Sequence, residues 1–196
     1  MRKFIGKKLV LASNNERKIS ELKTMLTPYH ITVKSGRDLN VDDPSETEDT
    51  FLGNATLKAK YFAIKTGLPS LADDSGLCVH AMNNQPGVFT ARYAPTAIEG
   101  LKKINTELAN NPNRNAHFMC CLVLAWPDGH IEVFEGRVDG SLTEEPRGDN
   151  GFAYDMCFVP NAHRKTFAQM SQEEKASLSH RGKAFRAFIE QAIETE

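Results

Sequence analysis

The chain has 196 residues, enough for one domain with a substantial interior, and its 40% hydrophobic and 25% charged content is that of an ordinary globular protein. Twenty-four basic residues against twenty-five acidic ones leave a formal net charge of -1, which gives no support for a basic groove for RNA or DNA or for a cationic surface for anionic membranes. No apolar run approaches the roughly 20 residues needed to span a bilayer, so no membrane helix is expected.

The chain opens on MRKFIGKKLVLASNN. Its apolar core is too short for a signal peptide, so the start reads as that of a mature cytoplasmic protein. KKLVLAS is expected to be a buried strand, followed by a loop and by the helix RKISELKTML, in which Ile19, Leu22 and Leu26 recur at helical spacing. The intervening Ser13, Asn14, Asn15, Glu16, Arg17 and Lys18 have two readings. A strand-to-helix loop offers backbone N–H groups and the positive end of a helix dipole to a phosphate, or its Ser and Asn simply cap the helix. Neither GxxxxGK[ST] nor GxGxxG occurs.

Tyr29 to Val33 is expected to form a second strand, and the acidic, turn-rich LNVDDPSETEDT a loop without regular structure. Thr50 then caps a helix, FLGNATLKAKYFAIK, with Phe51, Ala55, Ala59, Phe62 and Ala63 on its apolar face and Gly67 at its end. PSLA and Leu77 to Val79 are separate short strand candidates on either side of Asp73, Asp74, Ser75 and Gly76. Those four residues are good turn formers. Adjacent carboxylates at a strand end also suit Mg²⁺, which bridges to phosphates, and at the edge of a core they need a positive partner.

The loop NNQPG and a weak helix from Ile98 to Leu108 come next. HFMCCLVLAW, the turn Pro127 to Gly129 and IEVFEGRV form the clearest hairpin, and Ala184, Phe185, Phe188, Ile189, Ala192 and Ile193 mark a final helix docked along the sheet. Cys78, Cys120, Cys121 and Cys157 lack zinc-site spacing and read as reduced core thiols. Phe152, Ala153, Tyr154 and Asp155 could stack on a nucleobase or pack in the core, and Lys175, His180 and Arg181 could meet oxygen acceptors or lie solvated on a helix. The mixed order of hairpins and helices indicates an α/β protein with a mixed sheet.

LASNNERK, LADDSGL, PGVFTARYA, GFAYDMCFVP and EEKASLSHRGKAF stand in the order and spacing of one family, from about Leu9 to Phe188. The chain resembles the inosine triphosphate pyrophosphatase family. The resemblance implies an elongated mixed β-sheet flanked by helices, with residues 1 to 196 forming one domain of two lobes around a central cleft. It also implies a homodimer and a Mg²⁺-dependent hydrolase that converts ITP, dITP and XTP to the monophosphate and pyrophosphate.

On this sequence, Ser13 to Lys18 would seat the triphosphate, Asp74 would be the metal-linked general base, Asp73 beside it a metal ligand or orienting acid, and Glu46 a further metal ligand. Ser75, Lys175, His180 and Arg181 would contact the nucleotide, and Phe152 to Asp155 would wall the base pocket. Gly53 and Ala153 replace an acid and a glycine common in the family, and the loop after Arg92 and Tyr93 is short. A pyrophosphatase of the Maf type, acting on other nucleotides, and a non-catalytic nucleotide-binding module are the alternatives.

Overall fold

The computed structural model describes residues 1–109 and 111–193. The chain begins with β1 (Lys8–Leu11), α1 (Glu16–Leu26), β2 (Thr32–Ser35) and α2 (Phe51–Thr66), and continues with β3 (Ser70–Val79), β4 (Gln85–Pro86) and α3 (Ala97–Leu108). A long pair of strands, β5 (Asn115–Ala125) and β6 (Ile131–Leu142), precedes β7 (Phe158–Pro160), α4 (Gln172–Leu178) and α5 (His180–Ala192). Seven strands form one mixed sheet in the order β2-β1-β3-β5-β6-β7, with β4 pairing to β3. The mixed α/β architecture expected from the sequence is therefore present.

Two compact units divide the chain. The first comprises residues 1–74, 121–135 and 184–196, and the second residues 75–120 and 136–183. The divisions fall inside β3, β5, β6 and α5 rather than in linkers.

In the first unit, Ala55, Ala59, Phe62 and Ala63 of α2 pack with Val10, Ala12, Ala72, Cys121, Val123 and Ala125 of the sheet. Small alanines let the helix approach the strands closely, and full burial of Phe62 contributes about 2–3 kcal/mol. Thr50 caps α2 by accepting the Gly53 N–H, and Gly67 ends it in the left-handed region at φ 67°. Phe134 of β6 meets Phe188 of α5 edge to face at 5.5 Å, which fixes the final helix against the sheet as expected.

In the second unit, Leu101, Ile104 and Leu108 of α3 join Leu77, Val79, Phe118, Phe158 and Phe167 in a separate core. Cys120 and Cys121 are both fully buried although successive strand residues face opposite ways, so β5 is covered on both faces.

Two expectations are corrected. Thr27–Tyr29 forms a 3-10 turn and the second strand starts only at Thr32, because Pro28 begins a tight turn and His30 is left-handed. More consequentially, Asp73 to Gly76 is neither a turn nor a strand end. A single ten-residue strand, β3, runs straight through it, with every residue except Ser75 buried. The parallel register pairs Val10 with Ser70 and Leu11 with Leu71, after which β1 stops. The two acids thus lie just beyond the carboxyl end of β1, on a strand that continues.

Candidate active site

Alternation along β3 sends Asp73 and Asp74 to opposite faces, and each meets a different lysine. Lys18, on the first turn of α1, places Nζ 2.5 Å from Asp73 Oδ1. Lys58, in the middle of α2, donates to Glu46 Oε1 at 2.6 Å, to the Asp73 carbonyl at 2.9 Å and to Asp74 Oδ1 at 3.3 Å. The side chains of Lys58, Asp73 and Asp74 are only 7%, 1% and 8% exposed. The positive partners that the paired acids require are therefore Lys18 and Lys58.

Lys58 was not foreseen. Its signal was available: it lies three residues after Ala55 and four before Phe62, inside an otherwise apolar stripe, where an unpaired lysine is too costly to bury. Asn54 is likewise fully buried, and its amide exchanges hydrogen bonds with the backbone N–H and carbonyl of Glu48 at 3.1 Å. That exchange pins the acidic loop which carries Glu46.

Burial pushes the Asp74 carboxyl above its ordinary value of 3.8; Lys58 and Lys18 pull it back, while Glu46 and Asp73 add to the rise. Burial works against the charge on Lys58, but Asp74, Glu46 and Asp73 together hold its ammonium above the ordinary 10.5. Three carboxylates against two ammonium groups leave this cluster one negative charge in excess. Asp74 Oδ2 is buried with no hydrogen-bond partner. Hard oxygen donors, surplus negative charge and an orphaned carboxylate oxygen fit a hard divalent cation.

The loop before α1 is largely committed to its own structure. Asn15 caps the helix by accepting the N–H groups of Arg17 and Lys18, and Ser13 Oγ accepts that of Asn15. Asn14 donates its backbone N–H and its amide to the Asp43 carboxylate, fastening this loop to the acidic one. Glu16 and Arg17 are exposed, and Glu16 pairs with Arg37. Of the six residues, Lys18 is the one brought to the acids.

The second unit gathers another set. Asp155 Oδ2 accepts from Lys175 Nζ at 2.9 Å and from the Phe152 N–H at 2.8 Å. Lys175 and Arg181 both stand over the Phe152 ring, at 4.9 and 5.5 Å from its centre. Such a ring attracts cations by its quadrupole and offers a flat face to a base. Arg181 Nη2 donates to Ser75 Oγ at 3.1 Å, and His180 stacks on Phe118 with centres 4.7 Å apart and planes 12° from parallel.

Phe152 is half-buried and Ala153 exposed, whereas Asp155 is buried and Tyr154 belongs to the core. Gly182 has a packing reason: a Cβ there would sit 1.8 Å from the Ala176 carbonyl, so the start of α5 can lie against α4 only with glycine. A Cβ on Gly53 would come within 2.7 Å of Glu48, so the acid common in the family at this place has no room unless Glu48 moves.

The Ham1 family profile matches residues 9–191. This chain belongs to the Ham1 family. A dITP/XTP pyrophosphatase of Gluconobacter oxydans is 44% identical over 193 residues, covering 97% of this chain and 93% of that protein. One from Thermus thermophilus is 47% identical over 189 residues, covering 94% and 91%. Among solved structures, a HAM1 protein from Coxiella burnetii superposes with a TM-score of 0.86 at 38% identity, covering 92% of this chain and 95% of that one.

Ala153 departs from the glycine of the resembling family while keeping the backbone that glycine would favour, at φ 51°. Left-handed alanine costs about 1–2 kcal/mol, part of which glycine returns as added freedom in the unfolded chain. Ala153→Gly is therefore expected to raise stability by about 0.5–1 kcal/mol, as read from the urea midpoint.

Proposed function

We propose that this Ham1 family member hydrolyses ITP, dITP and XTP to the nucleoside monophosphate and pyrophosphate. The observation that carries the chemistry is the buried Asp74, flanked by Lys18 and Lys58, with one oxygen left unsatisfied by the protein. Glu46 and Asp74, which share Lys58, would hold Mg²⁺, which would neutralise phosphate oxygens and make a bound water more acidic, and Asp73, on the other face of β3, would orient Lys18.

Within the protein, Lys18 keeps N–H groups beyond the one given to Asp73 and meets the charge of the triphosphate chain. Asp74 takes the proton of the attacking water, whose oxygen bonds to the α-phosphorus as the bond to the α,β-bridging oxygen breaks and pyrophosphate leaves. Lys58 is a positioning residue: it orients Asp74 through Oδ1 and leaves Oδ2 for the water or the metal. In the second unit, Phe152 offers its face to the purine, and Arg181, oriented by Ser75, donates to the 6-oxygen of inosine or xanthosine.

ATP carries an amino group at that position, so donor would face donor. Such a mismatch discriminates strongly because a buried polar group is left unpaired. Arg181→Ala is expected to cut the preference for ITP over ATP, measured as a ratio of kcat/KM, by about tenfold to a hundredfold. An unchanged ratio would move the recognition to His180 or to backbone donors.

The deciding experiment is pyrophosphate release from ITP, dITP, XTP, ATP, GTP, CTP and UTP with and without Mg²⁺. Tight binding of ITP without turnover in saturating Mg²⁺ would overturn the enzymatic reading, and preference for a pyrimidine nucleotide would overturn the substrate class. Sedimentation velocity tests the homodimer implied by the resemblance. Among the described residues, no helix is long and apolar enough to cross a membrane.

A further inference from the structure

A second cluster of ligating side chains lies wholly within the second unit. His80 follows the end of β3, His117 is in β5 and Asp139 is in β6. Their ligand atoms all lie within 4.8 Å of one another. His80 Nε2 and His117 Nδ1 face each other at 3.0 Å, and the two rings stand 5.2 Å apart. His117 is 8% exposed, whereas His80 and Asp139 are less deeply placed, so the site is walled on one side and reachable on the other.

We propose that His80, His117 and Asp139 form a binding site for Zn²⁺, separate from the carboxylates assigned to Mg²⁺. Two imidazoles and one carboxylate make a three-ligand set that leaves a fourth position for water. Tetrahedral zinc with bonds of about 2.0–2.2 Å places its ligands about 3.3–3.5 Å apart. The two histidine nitrogens, 3.0 Å apart, already stand near that separation, and Asp139 has to close by at most about 1.3 Å, which a half-exposed side chain can do through its rotamers.

Borderline-soft imidazole favours zinc over magnesium, whereas Glu46, Asp73 and Asp74 offer only hard oxygen. Ligands from β5, β6 and the turn that follows β3 also make the ion a staple between three neighbouring segments of this unit.

Arg137 opposes the site. It grips Asp139 with Nε and Nη2 at 3.1 and 2.6 Å, although both side chains are about half exposed. An exposed pair of this kind is worth at most about 1 kcal/mol, so zinc can displace it at little cost.

The test is titration of the full-length, metal-stripped protein with ZnCl₂ by calorimetry, with CoCl₂ as a visible probe of tetrahedral nitrogen ligation. One equivalent of Zn²⁺ is expected to bind to wild type and to Asp74→Asn alike. Affinity falls about a hundredfold in His117→Gln and in the more exposed Asp139→Asn, and rises about threefold to tenfold in Arg137→Gln. Equal zinc affinity in wild type, His117→Gln and Asp139→Asn, or loss of the site in Asp74→Asn, would overturn the proposal. The readout is binding rather than turnover, so the fate of the hydrolase reading does not decide it.

Discussion

Asp74→Asn is expected to lower kcat for dITP by about a thousandfold or more while leaving the fold intact. The amide matches the carboxylate in size and keeps an oxygen for Lys58, which retains Glu46 and the Asp73 carbonyl as partners. Only proton acceptance and the second anionic oxygen are lost, so the melting temperature moves by a few degrees at most while turnover collapses. Pyrophosphate release beside a thermal melt measures both. Activity within tenfold of wild type would remove Asp74 from its role and leave Asp73 or Glu46 to accept the proton.

The second large effect belongs to Lys58→Met. Methionine matches the stem of lysine but removes the ammonium shared by Glu46 and Asp74, leaving Asp74 only the weaker pull of Lys18. Breaking a buried ion pair by removing one partner costs about 3–5 kcal/mol, and the loss is expected in full near neutral pH. It should shrink as pH falls, because the stranded carboxyls then take up protons and the repulsion disappears.

Wild type has two trends of the same sign in separate pH windows. Folded Asp74 holds its proton more tightly than the unfolded chain does, so ionising it costs stability as pH rises from 3.8 through the raised value. The Lys58 contribution is complete below 10.5 and is lost as pH climbs through its raised value. Urea titrations of wild type and Lys58→Met at pH 5 and pH 7.5 read the difference. A gap that stays constant with pH would mean that Lys58 acts through packing alone. The same variant should move the acid limb of kcat/KM for dITP upward, because Asp74 loses its nearest stabilising charge.

The long periodic elements were legible in the sequence because their information is local. Thr50 and Gly67 bracket α2, and the alternating hairpin and the apolar stripe of α5 lie where spacing puts them. LADDSGL was not legible in that way. Asp, Ser and Gly are poor strand formers and good turn formers, so local preference argues for the turn. What holds the stretch extended is distant: β1 pairs with Ser70 and Leu71, Lys18 arrives from 55 residues away, and Lys58 from 16. Tertiary partners override propensity at a site of this kind.

The candidate residues divide similarly. Those whose job is to carry charge, such as Lys18, Asp74, Lys175 and Arg181, could be chosen by type. Those whose job is to hold others, such as Lys58 and Asn54, could be recognised only by being polar in the wrong stripe. Tyr154 shows the converse, an aromatic in a promising motif that the core takes for itself.

The covering of β5 on both faces reaches beyond packing. Cys120 and Cys121 have no route to solvent in the folded chain, and burial raises the Cys121 thiol to about 12, as it does that of Cys157, and that of Cys78 to about 11. A thiol reacts as its thiolate, so these sulfurs are guarded by chemistry as well as by walls. Oxidants and alkylating agents can reach them only when the fold opens, and thiol damage in this protein therefore keeps time with unfolding rather than with exposure.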